Sequence, residues 1–360
     1  MNGHEAGQVT VSTKRASRYA QVSASVRAMK SKMLDKSGYD RLLRCSTSSE
    51  CMSILQEEGY FRDSATVGGL PDPTSLQRLL DTKMTALVKK LARLSPDDCA
   101  QLLTEYESQY RLDSLKSGLR LMVAHQNEEV QSDTLHSDLE DESLLGAVET
   151  RNVERLLEAL GALSLYGEIS SALAEKKPLP IIEAIIDKHV LTRIWDASDM
   201  RDWIDKESVQ GLVGEQIDAT NLLVVVRSKA LGLSAEEVQH MLVPVNYRLK
   251  EALLEATNAG SAMNALRAFT KTVYASSVER FLDTFKDGDS LHPLDVLLRR
   301  QHAANCLSAF SGFPFRAGLP LAFTYLMGYE MSDLQSIVFG KRDDLPMERI
   351  EQFLILQKAL

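Results

Sequence analysis

The sequence is poor in the residues that interrupt helices. Glycine contributes 19 and proline 10 of the 360 residues, together about 8%, whereas about 12% is usual. Aromatic residues are also scarce, at 6%, and strands are normally enriched in them. These shortages exclude a turn-rich β fold and predict an all-α protein with long helices.

Cysteine and long apolar runs are also scarce. The four cysteines, Cys45, Cys51, Cys99 and Cys306, contain no C-x-x-C pair, and this pattern is typical of a reduced cytoplasmic protein. The first residues have no apolar signal-peptide core. The longest apolar stretch near a helix, residues 317–329, is shorter than the roughly 20 residues that span a bilayer. We expect a cytoplasmic protein that does not cross a membrane.

Catalytic and metal-binding signatures are missing as well. The sequence contains no phosphate-binding loop, dinucleotide fingerprint, nucleophile elbow or zinc-protease motif. His302 and Cys306 share a helical face, but a zinc site needs more ligands, so ordinary packing is favoured. The acidic run at 136–142 indicates a solvated turn, with divalent-ion binding as the less favoured alternative. We therefore predict no catalytic, cofactor or metal site.

The charge balance is negative overall and uneven along the chain. The net charge is −9, which argues against a nucleic-acid binder. Residues 1–50 nevertheless contain nine basic and four acidic residues. This basic segment is either the solvated face of a helix or a docking surface for an acidic partner.

The informative positive feature is an internal repeat. Three segments each read as a helix that ends in a tyrosine, and the tyrosines recur at a nearly constant interval along the chain. A second element also recurs in the same order. It consists of an aromatic or aliphatic residue, any three residues, a polar residue and a leucine. The tyrosines are Tyr60, Tyr166 and Tyr274, and the second element occupies 110–115, 217–222 and 329–334.

Two markers in phase predict three similar helical units after a flexible tail. The predicted tail covers residues 1–16, and the units cover 17–125, 126–233 and 234–360. A unit of about 110 residues can bury a modest core of its own. Repeated units that are joined by a similar step can create a shared concave surface, which suits gripping another molecule better than it suits chemistry.

Several blocks of the sequence resemble one known family. They are YAQVSASVRAMKSKML, YDRLL, SSECMSILQEEGY, IIEAIIDK, EQIDATNLLVVVRSKALGLSAEEV, HPLDVLL and AGLPLAFTYLMGYEMSDLQSIVFGKRDDLP. In this order they look like the C subunit of the archaeal and bacterial A-type/V-type rotary ATPases, whose eukaryotic relative is the d subunit of the vacuolar proton pump. The resemblance begins near Tyr19 and covers nearly the whole chain.

The resemblance implies a fold and a role. The fold would be three similar helical domains arranged pseudo-threefold as a funnel with a central socket. The role would be a non-catalytic rotor subunit, one copy per complex, that couples the central-stalk subunits to the cytoplasmic loops of the proton- or sodium-translocating membrane ring and transmits torque. ATP would be made or hydrolysed by other subunits. The alternatives are a generic helical-repeat scaffold or adaptor unrelated to rotary ATPases, and an unrecognised enzyme.

Seven residues are candidates for coupling or for fixing helices. Ser114, Asn221 and Asp333 occupy the polar position of the second element, where the family often has Asn, and they either form a buried inter-helix bond or contact a partner. Arg227, Lys229, Lys341 and Arg342 follow those elements near helix ends. There they either favour the negative end of the helix dipole or face a partner.

Overall fold

A computed structural model of the chain describes residues 2–60, 76–124, 146–148, 150–286 and 288–360. Every regular element within these ranges is helical and none is a strand, so the all-α prediction is confirmed. The acidic run at 136–142 lies outside the described residues. The contacts divide the chain into two compact bodies. This division does not test the three predicted units or their funnel arrangement, which stay predictions.

The terminal body comprises Met1–Thr104, Ala197–Gln216 and His292–Leu360. Its helices are α1 (Asn2–Lys30), α2 (Lys36–Arg44), α3 (Ser48–Glu57), α4 (Leu76–Leu94), the start of α5 (Asp97–Ala124), the start of α9 (Trp203–Ala230), α14 (His292–Ser308), α15 (Gly318–Arg342) and α16 (Met347–Glu351). Helix α15 is the centre of this body, because its first ten residues are all buried and it packs against α1, α3, α4 and α14.

The middle body comprises Glu105–Asp196 and Ile217–Leu291. Besides the remainders of α5 and α9, it contains a 3₁₀ turn at Leu163–Leu165 and the helices α6 (Val153–Ala159), α7 (Tyr166–Ala174), α8 (Leu179–Ala197), α10 (Ala235–Met241), α11 (Glu251–Thr257), α12 (Ala262–Phe269) and α13 (Ala275–Leu282). The aliphatic residues of α8 and of the second part of α9 supply much of its core, including Ile182, Ile186, Leu222 and Val225.

Local sequence signals explain where many helices begin. Ser234 and Glu237 have the spacing of a capping box, and they form this reciprocal pair of hydrogen bonds at the start of α10. Thr47 and Ser261 cap α3 and α12 with a one-way contact, since the side-chain oxygen of each accepts from the backbone N–H three residues ahead. Thr47 precedes Tyr60 by the same interval as Ser261 precedes Tyr274, so the repeat seen in the sequence extends to the hydrogen bonds that start these helices.

The N-terminal helix is amphipathic. Tyr19, Val22 and Val26 are buried, whereas Arg18 and Arg27 are exposed. The helix begins at Asn2 and so includes most of the segment 1–16, whose predicted flexibility stays a prediction. No helix in the described part of the chain is both long enough and apolar enough to span a bilayer.

Two of the four cysteines are paired, contrary to the prediction that all are reduced. Cys45 and Cys51 form a disulfide, and Cys99 and Cys306 are buried free thiols. The sequence pattern missed this pair because the two cysteines are six positions apart and only the turn between α2 and α3 brings their Cα atoms to 6.0 Å, a distance that suits a disulfide.

This pairing predicts a thiol count. Protein that is purified without reductant and then denatured is expected to react as two thiols per chain, and as four after reduction, because only Cys99 and Cys306 are free. Titration with an aromatic disulfide reagent measures both numbers. Four reactive thiols without reductant would show that the Cys45–Cys51 bond does not form in solution.

Candidate functional site

Asn221 fixes the chain segment that follows α10. The side chain is fully buried. Its Nδ2 donates to the carbonyls of Val243 at 3.1 Å and Val245 at 3.0 Å, and its Oδ1 accepts from the Val243 N–H at 2.9 Å. Both ends of the amide are therefore used, so the segment 22–24 residues downstream is held against α9.

Asp333 forms the matching contact after α16. Its carboxylate accepts from the Ile355 N–H at 2.5 Å and the Gln357 N–H at 3.0 Å, which are again 22 and 24 residues downstream. Asn and Asp thus occupy equivalent positions, but Asn221 mainly donates and Asp333 only accepts. We call these two arrangements the Asn221 clamp and the Asp333 clamp.

A basic residue strengthens each clamp from the preceding helix. Lys188 of α8 donates to the His240 carbonyl at 2.6 Å, and Arg300 of α14 donates to the Gln352 carbonyl at 3.0 Å. The number of residues that separates Lys188 from Arg300 also separates the two carbonyl residues, His240 and Gln352. The same number separates the two clamp residues. Sequence analysis missed these basic residues, although this shared step could have identified them.

Arg300 donates to more backbone carbonyls than Lys188, its counterpart in the Asn221 clamp. Its guanidinium also donates to the carbonyls of Leu354 at 2.8 Å and Glu351 at 3.2 Å. The backbone that leads to Ile355 is therefore held by Arg300 from one helix and by Asp333 from another.

A second pair of buried acids lies one helical turn before the clamp residues. Asp218 accepts from the N–H groups of Tyr247 at 3.1 Å and Arg248 at 2.7 Å and from the Tyr274 hydroxyl at 3.1 Å. Glu330 accepts from the Leu34 N–H at 2.8 Å, and the Tyr60 hydroxyl faces its carboxyl. Tyr60 and Tyr274 are two of the repeated tyrosines found in the sequence, so the structure gives them a common location beside a buried acid.

Burial makes these acids weak. It raises the pKa of Asp218 and of Asp333 to about 6 and the pKa of Glu330 to about 7, against the opposing effect of the N–H groups that they accept from. A buried carboxylate is costly to ionise unless several donors surround it. Glu330 has one such backbone donor, which agrees with its pKa being the highest of the three.

The remaining members of the two repeated series differ from these. Ser114 lies in α5, but its side chain is outside the described residues. Tyr166, the second of the repeated tyrosines, is 40% exposed, whereas Tyr60 is 7% and Tyr274 is 3% exposed. The tyrosine of the series is therefore buried in its first and third positions and exposed in its second.

The four predicted basic residues lie at the ends of α9 and α15, and their surroundings differ. Lys229 donates to the Leu233 carbonyl at 3.1 Å, in the turn that follows the end of α9. Arg342 is exposed, pairs with Asp343 at 2.9 Å and stacks on Phe339. Arg227 and Lys341 are half-buried.

A buried charge cluster that sequence analysis missed joins α1, α9 and α15. Arg15 is 5% exposed, pairs with Asp202, and donates to Asp205 at 3.1 Å. Asp205 also accepts from the Tyr19 hydroxyl at 2.8 Å and the Ala317 N–H at 2.9 Å. No sequence signal indicated that Arg15 is buried, since it lies in a segment with many exposed basic residues.

His302 and Cys306 are packing residues. The His302 Nε2–H donates to the Leu212 carbonyl at 3.0 Å, which leaves Nδ1 to accept from the Tyr329 hydroxyl at 2.7 Å. Burial lowers the pKa of His302 to about 4, so the ring is neutral. Among the described residues no group of three or more His, Cys, Asp or Glu side chains could hold a metal ion.

Comparison with known proteins gives a consistent result. The family model described as ATP synthase (C/AC39) subunit matches residues 22–353. The C subunit of the A-type ATP synthase of Methanocaldococcus jannaschii is 23% identical, and the match covers 94% of this chain and 86% of the relative. The corresponding C subunits of Methanococcoides burtonii and Methanosarcina mazei are each 25% identical, over 95% of this chain and 95% and 94% of the relatives.

Proposed function

The chain belongs to the ATP synthase (C/AC39) subunit family, and from this membership we propose that it couples the central stalk of a rotary ATPase to the membrane ring that translocates protons or sodium ions. In this role it transmits torque and has no catalytic activity of its own. The observation that carries the proposal is the family match, which extends over residues 22–353.

The buried polar contacts support a mechanical role. A part that transmits torque must not deform when its two ends are loaded. The Asn221 and Asp333 clamps tie backbone segments to long helices through side chains that are fully buried. Satisfied buried networks of this kind rigidify a fold, so they suit a subunit that carries load.

The buried acids Asp218 and Asp333 have little capacity for catalysis, because their oxygens are already used in contacts within the chain. A general acid or base must reach a substrate proton. Asp218 and Asp333 instead use both carboxylate oxygens on backbone N–H groups of this chain, and Asp218 also accepts from the Tyr274 hydroxyl. ATP synthesis or hydrolysis would therefore take place in other subunits of the complex.

The proposed partners are the central-stalk subunits and the cytoplasmic loops of the ring, with one copy of this chain per complex, on the cytoplasmic side of the membrane. Among the four predicted basic residues, Arg227 and Arg342 are the better candidates for partner contact. Lys229 already donates to the Leu233 carbonyl of its own chain, and an arginine is the better donor at protein interfaces.

Charge reversal tests this interface. We expect Arg227→Glu combined with Arg342→Glu to weaken assembly with the stalk and ring about tenfold or more at low salt, because like charges at an interface are costly. The control is Arg267→Glu, which changes an exposed arginine in the last turn of α12. Assembly affinity is measured by titrating the labelled chain with purified stalk and ring. Equal affinity for both variants would refute the contact at Arg227 and Arg342.

Co-purification tests the function itself. The intact chain is expected to join both the stalk and the ring of the same complex, and its removal should uncouple ATP hydrolysis from ion transport. A generic helical scaffold would bind neither at low salt. That outcome would reject the coupling role whatever the charge-reversal experiment shows.

A further inference from the structure

Asp218 and Glu330 occupy equivalent positions, and each binds a backbone segment from another part of the chain. We call each of these contacts between an acid and a segment a junction. Asp218 holds Tyr247 and Arg248, which follow it by 29 and 30 residues along a described stretch of chain. Glu330 holds Leu34, which precedes it by 296 residues. No short stretch of chain joins Leu34 to Glu330, so the Leu34 junction depends on non-covalent contact. At the Arg248 junction, a short stretch of chain also joins the two residues.

Leu34 and Arg248 are nevertheless corresponding positions. The interval from Leu34 to Tyr60 equals the interval from Arg248 to Tyr274, and each of these tyrosines lies beside the acid that holds its junction. The same local arrangement thus occurs twice, and the two copies can be compared donor by donor.

Glu330 has fewer donors than Asp218. Both oxygens of Asp218 accept hydrogen bonds, from two N–H groups and one hydroxyl. Glu330 uses Oε1 for the Leu34 N–H, and its Oε2 is buried without a hydrogen-bond partner. The hydroxyls of Tyr39 and Tyr60 are also buried without a hydrogen bond of ordinary length and angle; the Tyr60 hydroxyl faces Glu330, and the Tyr39 hydroxyl faces Asp333. Glu330 is therefore held by one well-formed hydrogen bond, from the Leu34 N–H, and its second oxygen lacks a bond of ordinary geometry.

Among the described residues, the charged and titratable groups that face Glu330 come from α2, the segment after α3, α4 and α15 itself. They are Tyr39, Tyr60, Lys83 and Asp333. Lys83 is the single cation among them, and its ammonium already donates to the Tyr60 carbonyl at 3.2 Å and lies 4.1 Å from the Tyr60 ring centroid. Asp333 is a second buried acid. The negative charge of an ionised Glu330 would therefore be poorly balanced while the Leu34 segment is bound.

We propose that Glu330 is a proton-controlled latch that holds the Leu34 segment against α15 when it is neutral and lets this junction open when it is ionised. The neutral acid has an O–H that can donate to a neighbouring tyrosine hydroxyl. The ionised acid can be hydrated only if the Leu34 segment moves away from α15. The proposal does not depend on the coupling function, since it concerns the chain alone.

The direction of the pH effect follows from burial. Burial raises the pKa of Glu330 from an ordinary value of 4.5 to about 7, so the closed junction binds more protons than the open one between these values. Closure is therefore most favoured below about pH 4.5 and is progressively lost as the pH rises to about 7. Above that pH the effect levels off.

Hydrogen–deuterium exchange of the intact chain tests the latch. After correction for the intrinsic rate, exchange of the peptide covering 31–44 is expected to accelerate more than tenfold between pH 4.5 and 7.5. Exchange in helix α8 serves as the internal reference and should not accelerate in this way. Glu330→Gln, which keeps the acceptor for Leu34 and cannot ionise, should abolish the acceleration. Asp218→Asn is the matched control and should leave it in place.

The exchange profile of the wild-type chain keeps the proposal testable if Glu330→Gln does not fold. The wild-type profile alone can overturn the proposal, because a flat corrected rate for residues 31–44 would mean that no titrating group controls the junction. Acceleration that persists in a folded Glu330→Gln protein would overturn it as well. Assembly with the stalk is absent from this experiment, so a negative result would leave the coupling function standing.

Discussion

Replacing Asp205 by alanine is expected to destabilise the protein by about 3–5 kcal/mol, the usual cost of removing one partner of a buried ion pair. The carboxylate holds Arg15, the Tyr19 hydroxyl and the Ala317 N–H at once. Without it, the buried guanidinium keeps Asp202 as its one charged partner among the described residues, and the α1, α9 and α15 contacts lose their common acceptor.

Urea unfolding followed by circular dichroism measures this effect. Asp199→Ala is the matched control, because Asp199 also pairs with a basic residue, Lys206, but is 66% exposed. Removal of such a surface ion pair is expected to change the unfolding free energy by less than about 1 kcal/mol. A loss for Asp205→Ala no larger than that of the control would mean that the cluster does not stabilise the fold.

Exchanging the two clamp residues is expected to damage both clamps, although Asn and Asp have nearly the same shape. In Asn221→Asp, carboxylate oxygens would face the carbonyl oxygens of Val243 and Val245. In Asp333→Asn, an amide N–H₂ would face the N–H of Ile355 or Gln357. Each change leaves buried polar groups unsatisfied, and we expect a loss of about 3 kcal/mol in each case.

The pH dependence separates the two variants. An aspartate introduced at 221 would be buried among acceptors, so its folded pKa should be raised and the stability of Asn221→Asp should fall as the pH rises. Asp333→Asn removes an acid whose pKa burial raises to about 6, so its stability relative to wild type should improve as the pH rises through that value.

Unfolding free energies at acid and mildly alkaline pH test both expectations. Asn264→Asp makes the same chemical change at an exposed position in the first turn of α12, where an acid is tolerated, and should have little effect. If the three variants were equally stable, the clamps would be neighbouring contacts without a structural role. A pH-independent Asn221→Asp would mean that this site is open to water.

The helices and their repeated spacing could be predicted because they depend on short-range rules. The capping box at Ser234 and Glu237, the start of α5 after Pro96 and the buried stripe of α1 follow from neighbouring residues. The repeated tyrosines and the polar positions of the second element could be found because each copy keeps its internal spacing. This regularity also predicted positions 221 and 333, whose contacts with the downstream backbone are alike.

The sequence by itself determined the helical class, the start of several helices and the family, since each depends on patterns within one segment or on the order of several. The helix ends that it placed at the repeated tyrosines were wrong, because Tyr166 begins α7 and the helices before Tyr60 and Tyr274 end at Glu57 and Phe269. Only the tertiary structure decided which distant groups meet: Arg15 with Asp205, Arg300 with the backbone after α16, and Glu330 with Leu34. It also paired Cys45 with Cys51 against expectation. A buried hydrogen bond depends on the packing of whole helices, and an exposed and a buried arginine have the same letter in the sequence. For that reason the partners of a buried charge become visible only after the chain has folded.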